Sequence, residues 1–159
     1  MRFRTWSYRF AEQVLNGKLA LKKEIEDTIE SINFNRNEVT RPKLNQAFRN
    51  EFLKRGWKKE VRIFEDLGEP LAKIDFMKDR IGVEVSFSHS SFLGIDMLKF
   101  QMLSYSNLDK IDVGIYIVQT KGFFGRKFKG SIKYEKVEKY LPHFRSAIQV
   151  PIFIYGLEE

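Results

Sequence analysis

Two carboxylates lie nine positions apart in a stretch that is typical of a β-hairpin. Asp75 and Glu84 flank the turn-like dipeptide Asp79-Arg80. If the chain reverses there, the numbers of opposed residues sum to 159, which places Asp75 opposite Glu84. Opposed side chains share one face of a sheet, with about 5 Å between their Cβ atoms. Two negative charges at that distance destabilise a fold unless a proton or a cation neutralises them.

A hard divalent metal ion is the natural neutraliser of such a pair. The chain has no cysteine and only two histidines, so the available ligands are oxygens, which favours Mg²⁺, with Mn²⁺ as a substitute, over zinc. Glu84 also interrupts an otherwise apolar strand pattern. The alternative is an ordinary hairpin in which both acids face solvent, with Lys73, Lys78 and Arg80 as counter-ions.

A third acid is predicted to approach from a preceding helix. Pro42 suits the first turn of a helix that runs to about Arg55 and is stopped by Gly56. Glu51 falls on the same face as the apolar stripe of this helix, so it is a candidate to join the pair. The alternative is an ion pair of Glu51 with Arg55 or Lys54. The stripe consists of Leu44, Ala47, Phe48 and Phe52.

The remaining apolar patterns predict the elements that must position these side chains. An amphipathic helix over Phe10–Ile32, broken at Asn16-Gly17, precedes the helix that begins at Pro42. The predicted fold is α/β (α+β): an α-β-β-β-α-β core with a mixed central sheet flanked by helices, plus the N-terminal helix and a C-terminal strand. The other predicted elements are strands at Trp57–Phe64, Leu71–Met77 and Ile81–Phe87, a helix from about Ser91 to Tyr105, a buried strand at Ile111–Val118, a short helix at Glu135–Leu141 and a strand at Ile148–Tyr155.

The charge of the chain indicates a polyanionic partner. The net charge is +7, and the basic residues cluster: nine against three acidic between residues 36 and 62, and five against none between residues 121 and 133, which leaves −4 for the rest. No apolar run approaches the roughly 18 residues of a membrane span. We expect a soluble, cytoplasmic protein of one domain, residues 1–159, with its core at about 42–118.

The acids and the order of elements resemble the PD-(D/E)xK nuclease superfamily. Over roughly Pro42 to Val118 the local amino-acid sequence is similar to that of the BglII and BstYI family of type II restriction endonucleases. The resemblance implies Mg²⁺-dependent hydrolysis of a DNA phosphodiester bond, with Asp75, Glu84 and the carbonyl of Val85 as metal ligands. The matching segments are Lys73-Ile74-Asp75-Phe76, Val83-Glu84-Val85, Ser91-Phe92 and Ile111-Asp112-Val113-Gly114-Ile115.

The resemblance also implies partners. An enzyme of this kind acts on double-stranded DNA as a homodimer at a short palindromic site, by analogy one with a GATC core, in a prokaryotic cell that also holds a cognate DNA methyltransferase. The helix Phe10–Ile32 is the expected dimerisation element, with packing against the core as the alternative. Two other functions stay open: a PD-(D/E)xK nuclease of repair or recombination, and a DNA-binding homologue that has lost catalysis.

One position departs from the superfamily pattern. The lysine that usually lies two residues after the glutamate helps to activate water, and Ser86 takes its place here. Serine can hold a water molecule but carries no charge. Two displaced lysines are candidates to compensate: Lys73, which the hairpin register places opposite Ser86, and Lys99 in the following helix. For each, a solvated surface lysine is the alternative.

DNA contacts are expected in the loops and in the basic segments. Ser88, His89 and Ser90 follow the strand that carries Glu84, where the resemblance implies contacts to bases, although Ser90 or Ser91 is also suited to cap the next helix. A glycine-bounded loop between residues 121 and 130 interleaves phenylalanines with cations and is suited to hold phosphates, or else to anchor a basic surface loop on the core. The cations predicted to contact DNA are Lys43, Arg49, Arg126, Lys127 and Lys129.

Overall fold

A mixed six-stranded sheet with helices on both faces forms the protein. The computed structural model describes residues 1–35, 37–64, 73–105, 108–125 and 127–158. The strands are β1 (Arg2–Tyr8), β2 (Lys58–Arg62), β3 (Lys73–Lys78), β4 (Ile81–Val85), β5 (Val113–Gln119) and β6 (Ile152–Glu158). The helices are α1 (Ala11–Asn16), α2 (Leu19–Ser31), α3 (Arg41–Lys54), α4 (Leu93–Ser104) and α5 (Tyr134–Tyr140).

The strand order β1-β6-β5-β4-β3-β2 places the predicted core in the middle of the sheet. β2, β3 and β4 form an antiparallel meander, β5 and β6 join in parallel, and β1 closes the far edge antiparallel to β6. The segment from α3 to β5 therefore has the predicted order α-β-β-β-α-β, and the predicted mixed α+β fold is confirmed.

Local sequence explains the boundaries that matter for the site. Thr40 caps α3, its hydroxyl accepting a hydrogen bond from the backbone of Lys43, and Gly56 follows the helix with a left-handed φ of 76°. Asp79 and Arg80 both have positive φ, 43° and 66°, as a two-residue type I′ turn requires. The β3–β4 hairpin thus turns where the sequence predicts.

Two hydrophobic cores cover the two faces of the sheet. The first packs α1, α2 and α3 against one face, with Phe48 and Phe52 of α3 next to Phe76 and Phe87. The second packs α4 and α5 against the other face, around Phe100, Tyr116 and Val137. An α3 side chain and an α4 side chain can therefore reach the same strand only from opposite sides.

The N-terminal region differs from the prediction. The helix over Phe10–Ile32 is present as α1 and α2, interrupted at Gly17, and its apolar side is buried in the first core. Strand β1 was missed, although the alternation of Arg2 and Arg4 with Phe3 is a period-two signal. Within the described ranges, no helix is long and apolar enough to cross a membrane.

Candidate active site

β3 and β4 separate where the two acids lie. Their pairing follows the predicted register, with Phe76 opposite Val83, and ends there. Beyond that pair the Val85 N–H donates to Asp75 Oδ2 at 2.9 Å, and the Asp75 N–H donates to Glu84 Oε2 at 3.2 Å. Each carboxylate takes the place of a backbone carbonyl in the ladder. The structure thus brings Asp75 and Glu84 together in the gap between the strands.

The side chains along β3 change face at Asp75. Phe76 packs into the first core and Ile74 into the second, although residues two apart in a regular strand share a face. In the neighbouring strand, Glu60 lies between the partners of Phe76 and Ile74 and has a φ of 48°, which is a strained conformation for a residue other than glycine. At Asp75 this local twist directs the side chain into neither core, and Asp75 lines a cleft instead.

Burial makes the pair of acids electrostatically costly. Glu84 is only 6% exposed. Burial raises the pKa of Glu84 well above its usual value, and the negative charge of Asp75 raises it further, while Lys99 opposes the change. Burial also raises the pKa of Asp75, against the opposing hydrogen bond from the Val85 N–H. Both groups therefore bind their protons more tightly than exposed acids do.

Polar groups from α4 and β5 approach Glu84 from the second core. Lys99 Nζ donates to Glu84 Oε1 at 2.5 Å and lies 3.4 Å from Asp96 Oδ1. Tyr116 donates its hydroxyl hydrogen to Asp96 Oδ2 at 2.7 Å, and the Ser86 side chain lies near the Tyr116 hydroxyl. Burial lowers the pKa of Lys99, but the charge of Glu84, the hydrogen bond to it and the charges of Asp96 and Asp75 together outweigh burial, so the net pKa is raised. Lys99 is therefore an ammonium ion.

A cleft of about 280 Å³ opens over the carboxylates on the α3 side of the sheet. Asn45, Gln46 and Arg49 line its α3 wall, and the Arg49 guanidinium lies 3.7 Å from the carboxylate of Glu60. Most of the lining side chains are polar or charged. The cleft therefore suits a charged, hydrated occupant rather than an apolar one.

The donor set fits Mg²⁺ better than a metal that needs many protein ligands. Among the described residues no three His, Asp or Glu side chains form a group that can hold a metal ion. A strand residue directs its N–H and C=O to the same neighbour, so the Val85 carbonyl faces the same gap as the N–H that binds Asp75. Two carboxylates and one carbonyl match Mg²⁺, which usually keeps several of its waters.

Glu51 does not join the pair, contrary to the prediction. Its carboxylate binds Lys54 at 2.5 Å and Arg55 at 2.7 Å, and these two hydrogen bonds lower the pKa of Glu51 to about 2. Residues two apart on a helix point in roughly opposite directions, and it is Arg49 that lines the cleft. The alternative, an ion pair on the helix surface, is what the structure has.

Lys73 does not lie opposite Ser86, contrary to the prediction. The β3–β4 pairing stops at Phe76, and Lys73 pairs instead with Arg62 on the other side of β3. Ser86 is 2% exposed, lines the cleft and pairs through its N–H with the Ile117 carbonyl of β5. The register was right at the turn, but the strands diverge before reaching these residues.

The loop after β4 is tied to the basic loop that follows β5. Ser88 is exposed and lines the cleft, Ser90 donates its N–H to the Gly130 carbonyl, and His89 forms an isolated β-bridge with Ser131. The cap of the next helical turn is neither predicted serine: His89 Nδ1 accepts the N–H of Ser91 at 3.3 Å. Backbone hydrogen bonds therefore join the two loops predicted to contact DNA into one structural unit.

The predicted phosphate-binding cations lie around this unit and the cleft. Lys43, Lys127 and Lys129 are exposed, while Phe123 and Phe128 of the same basic loop are buried and anchor it. Lys127 Nζ donates to the Asn37 carbonyl at 2.9 Å. Arg126 lies outside the described residues.

Sequence reasoning missed Glu60 and Asp96. The β2–β3 register that brings Glu60 beside Asp75 has no tight turn to define it, because residues 63–72 separate the strands. The sequence does contain a signal for Asp96, because it is the one acid in the helix Leu93–Ser104 and lies three residues before Lys99.

The chain is similar to known proteins in sequence and in structure. The family model for restriction endonuclease BglII/BglIII matches residues 3–157. The chain is 28% identical over 170 residues to the type II restriction enzyme BglII of Bacillus subtilis, in a match that covers 96% of this chain and 74% of that enzyme.

Two solved structures are similar to the whole chain. One is restriction endonuclease BglII complexed with a DNA 16-mer, with a TM-score of 0.82, 25% identity and coverage of 77% of that protein. The other is free BglII, with a TM-score of 0.73, 25% identity and coverage of 80%. Both matches cover 100% of this chain.

Proposed function

The chain belongs to the BglII/BglIII restriction endonuclease family, a family of DNA-cleaving type II enzymes, and on this premise we propose that it hydrolyses DNA at a short palindromic site with Mg²⁺ as its cofactor. The observation that carries the proposal is the pair of half-buried Asp75 and buried Glu84, held together where two strands diverge at the floor of a polar cleft. Mn²⁺ is the expected substitute for Mg²⁺.

The metal ligands in this proposal are Asp75, Glu84 and the carbonyl of Val85. Asp75 Oδ1 is the free acceptor of the pair, because none of the described residues donates a hydrogen bond to it. When bound, Mg²⁺ lowers the pKa of a coordinated water and offsets negative charge on the phosphate. The chain itself holds these ligands rigidly, since each carboxylate is bonded to backbone of the neighbouring strand.

The remaining residues bind and orient the DNA. Arg49 lies beside the acids and is placed to hold a phosphate oxygen, with Lys43 in the first turn of the same helix. Lys127 and Lys129, with Arg126 between the glycines, supply the second group of cations. Ser86 offers its hydroxyl on the cleft wall, where it can hold a water molecule.

Base contacts in this proposal come from the loop after β4. Ser88, His89 and Ser90 offer two hydroxyls and an imidazole beside the cleft, and hydroxyls read base edges without strong preference. The solved relative bound to a DNA 16-mer supports duplex DNA as the substrate. We propose a palindrome with a GATC core by analogy with the family, and a cognate methyltransferase that protects it.

A homodimer follows from the palindrome, and α4 is a better interface than the N-terminal helix. α1 and α2 bury their apolar side in the first core. α4 buries one apolar side in the second core and exposes another on its opposite flank, and an apolar helix flank of this kind marks an interaction surface. The exposed side chains are Phe92, Ile95, Leu98, Met102 and Tyr105.

Matched substitutions separate the two candidate interfaces. We expect Leu98→Glu, at a position 53% exposed on α4, to convert a dimer to a monomer in light-scattering measurements. Leu19→Glu, 63% exposed on α2, should leave the dimer intact. The reverse result would assign the interface to the N-terminal helix, and a parental monomer at all concentrations would overturn the dimer.

The cleavage experiment uses a long unmethylated DNA with Mg²⁺. Discrete fragments, with the same sequence at every end, support a restriction enzyme. Diffuse degradation or nicking at special structures supports a repair or recombination nuclease, and retardation without cutting supports a DNA-binding homologue that lost catalysis. Asp75→Ala should abolish cutting and leave DNA binding in Ca²⁺ largely intact. If Asp75→Ala cuts at the parental rate, the site assignment is wrong.

A further inference from the structure

The strand position two residues after Glu84 carries no charge. Ser86 is almost fully buried, and its side chain lies near the Tyr116 hydroxyl. Ser86 directly follows β4, and strand alternation puts positions 84 and 86 on the same side of the sheet. The cation that contacts Glu84 comes instead from a helix that packs on the sheet.

The ammonium group of Lys99, on α4, is that cation. Its ammonium donates to Glu84 Oε1 at 2.5 Å, with the side chains of Lys99 and Glu84 only 13% and 7% exposed. Glu84 Oε2 accepts the Asp75 N–H. Both oxygens of Glu84 are therefore fixed, one by Lys99 and the other by β3, so the carboxylate has a single orientation.

Lys99 is itself held in place by a buried acid and a phenol. Asp96, one turn earlier on α4, lies 3.4 Å from the ammonium through Oδ1, while its Oδ2 accepts the Tyr116 hydroxyl at 2.7 Å. The Ser86 side chain lies near the same Tyr116 hydroxyl. Polar contacts thus run from Glu84 through Lys99 and Asp96 to Tyr116 in the second core.

Packing alone does not account for this arrangement. Burying a lysine with two acids costs desolvation that an apolar side chain of the same volume avoids, and a buried ion pair often contributes no net stability. The rest of the inward side of α4 is apolar: Leu93, Met97, Phe100 and Leu103. The charged groups are confined to the point where the helix passes Glu84.

We infer that Lys99 is the positioning cation of this active site: it fixes Glu84 from α4 and supplies beside the carboxylates the charge that Ser86 does not, with Asp96 and Tyr116 as its supports. This inference rests on the proposed function. Lys99 acts through Glu84, and it is the geometry of the metal-binding carboxylate that depends on it.

The test removes the positive charge at position 99 and then introduces a positive charge at position 86. Lys99→Met keeps the length of the side chain and removes the ammonium. We expect single-turnover cleavage of bound DNA to fall by about 100-fold or more, as misplacement of a reacting group by about 1 Å can do. Lys99→Arg should retain more activity than Lys99→Met. DNA affinity in Ca²⁺ should stay within about threefold of the parent, because Lys99 does not line the cleft.

The decisive variant adds Ser86→Lys to Lys99→Met. The side chain at position 86 lies on the same side of the sheet as Glu84, so Ser86→Lys should raise the cleavage rate at least tenfold above that of Lys99→Met. Ser86→Met in the same background should leave the rate unchanged. Cleavage by Lys99→Met within threefold of the parent overturns the inference. So does equal recovery, or equal failure, of the Ser86→Lys and Ser86→Met doubles.

A metal titration keeps the inference distinct from the proposed function. Calorimetry with Ca²⁺ should show that Lys99→Met binds the ion within about tenfold of the parent, because the ligands remain and the loss of a repelling charge opposes the loss of a fixed Glu84 orientation. Loss of measurable binding would mean that Lys99 merely maintains the pocket, and the inference would fail. If the parent cuts no DNA, the proposed function fails, and this titration still decides the role of Lys99. Should Lys99→Met not fold, Lys99→Met/Asp96→Asn removes the uncompensated acid and is measured in its place.

Discussion

Two groups of acidic and basic side chains in this protein shift the pKa of their carboxyl groups in opposite directions. On the flank of α3, one acid, Glu51, has two cations, Lys54 and Arg55, and their hydrogen bonds lower its pKa to about 2. Between β3 and β4, burial raises the pKa of both acids and the charge of Asp75 raises that of Glu84 further, although Lys99 opposes both changes. The first group satisfies its charges within the fold, and the second leaves negative charge for a ligand to neutralise.

The largest expected effect is on the cleavage rate, when the same substitution is made in each of the two groups. Glu84→Gln should reduce cleavage by about 10³-fold or more, because a ligand that offsets several kcal/mol of charge in the transition state is lost. Glu51→Gln, the same change at the satisfied group, should leave the cleavage rate within about twofold. Both rates are measured on pre-bound DNA in Mg²⁺.

A large loss with Glu51→Gln would contradict this comparison and reinstate Glu51 as a third acid of the site. Circular dichroism melts of both variants provide the control, since either loss counts only in a protein that is folded at the assay temperature.

The second effect is a gain of stability at the cost of function. Asp75→Asn removes the half-buried member of two repelling acids and keeps an oxygen to accept the Val85 N–H. Without metal, it should unfold with a free energy about 1 kcal/mol higher than the parent, as relief of a strained functional site does. Added Ca²⁺ should raise the Tm of the parent and not that of Asp75→Asn. Asp109→Asn, at an exposed acid, is the control and should retain the Ca²⁺ effect.

A parent that shows no Ca²⁺-induced rise in Tm would contradict the metal site, whatever the stability of the variant. A less stable Asp75→Asn would show that the acid pair holds the strands together.

The hairpin shows how far local sequence reaches. The Asp79-Arg80 turn determined the register, and Phe76 does lie opposite Val83. The same register placed Lys73 opposite Ser86, and this was wrong because the strands diverge at Asp75. The divergence comes from tertiary structure: the carboxylates replace backbone acceptors, and β2 twists at Glu60 beside them. No local pattern encodes either event.

The helices show a second limit. Apolar periodicity gave the bounds of α3 within about one residue, but Glu51 sits at the edge of the apolar stripe, where helical spacing alone cannot tell the core from a surface ion pair. On α4 the acid and lysine at positions 96 and 99 were visible, yet their link to Glu84 and Tyr116 depends on how that helix crosses the sheet. Crossing geometry arises from packing of distant segments.

A smaller effect concerns cations with and without a carboxylate partner. Lys129 is exposed and has no carboxylate partner within the described residues, while Lys54 is paired with Glu51. Lys129→Gln should reduce the slope of log K against log salt by about 0.9 and weaken DNA binding about eightfold at 0.1 M salt. Lys54→Gln should change neither. Equal effects of the two variants in a fluorescence titration would show that net charge, not the placement of the basic loop, controls binding.

The smallest effect is the contribution of the satisfied group to stability in acid. Glu51 has a pKa lowered from 4.5 to about 2, so its ion pairs stabilise the fold fully above pH 4.5, and this stabilisation is lost as the pH falls through 2. Lys54 is 68% exposed and solvent screens its charge, so we expect Glu51→Gln to lower the free energy of unfolding by only about 0.5 kcal/mol at neutral pH. The difference between parent and variant should shrink steadily between pH 4.5 and 2 in urea titrations. A difference that persists unchanged at pH 2 would mean that Glu51 stabilises α3 by packing and not by its charge.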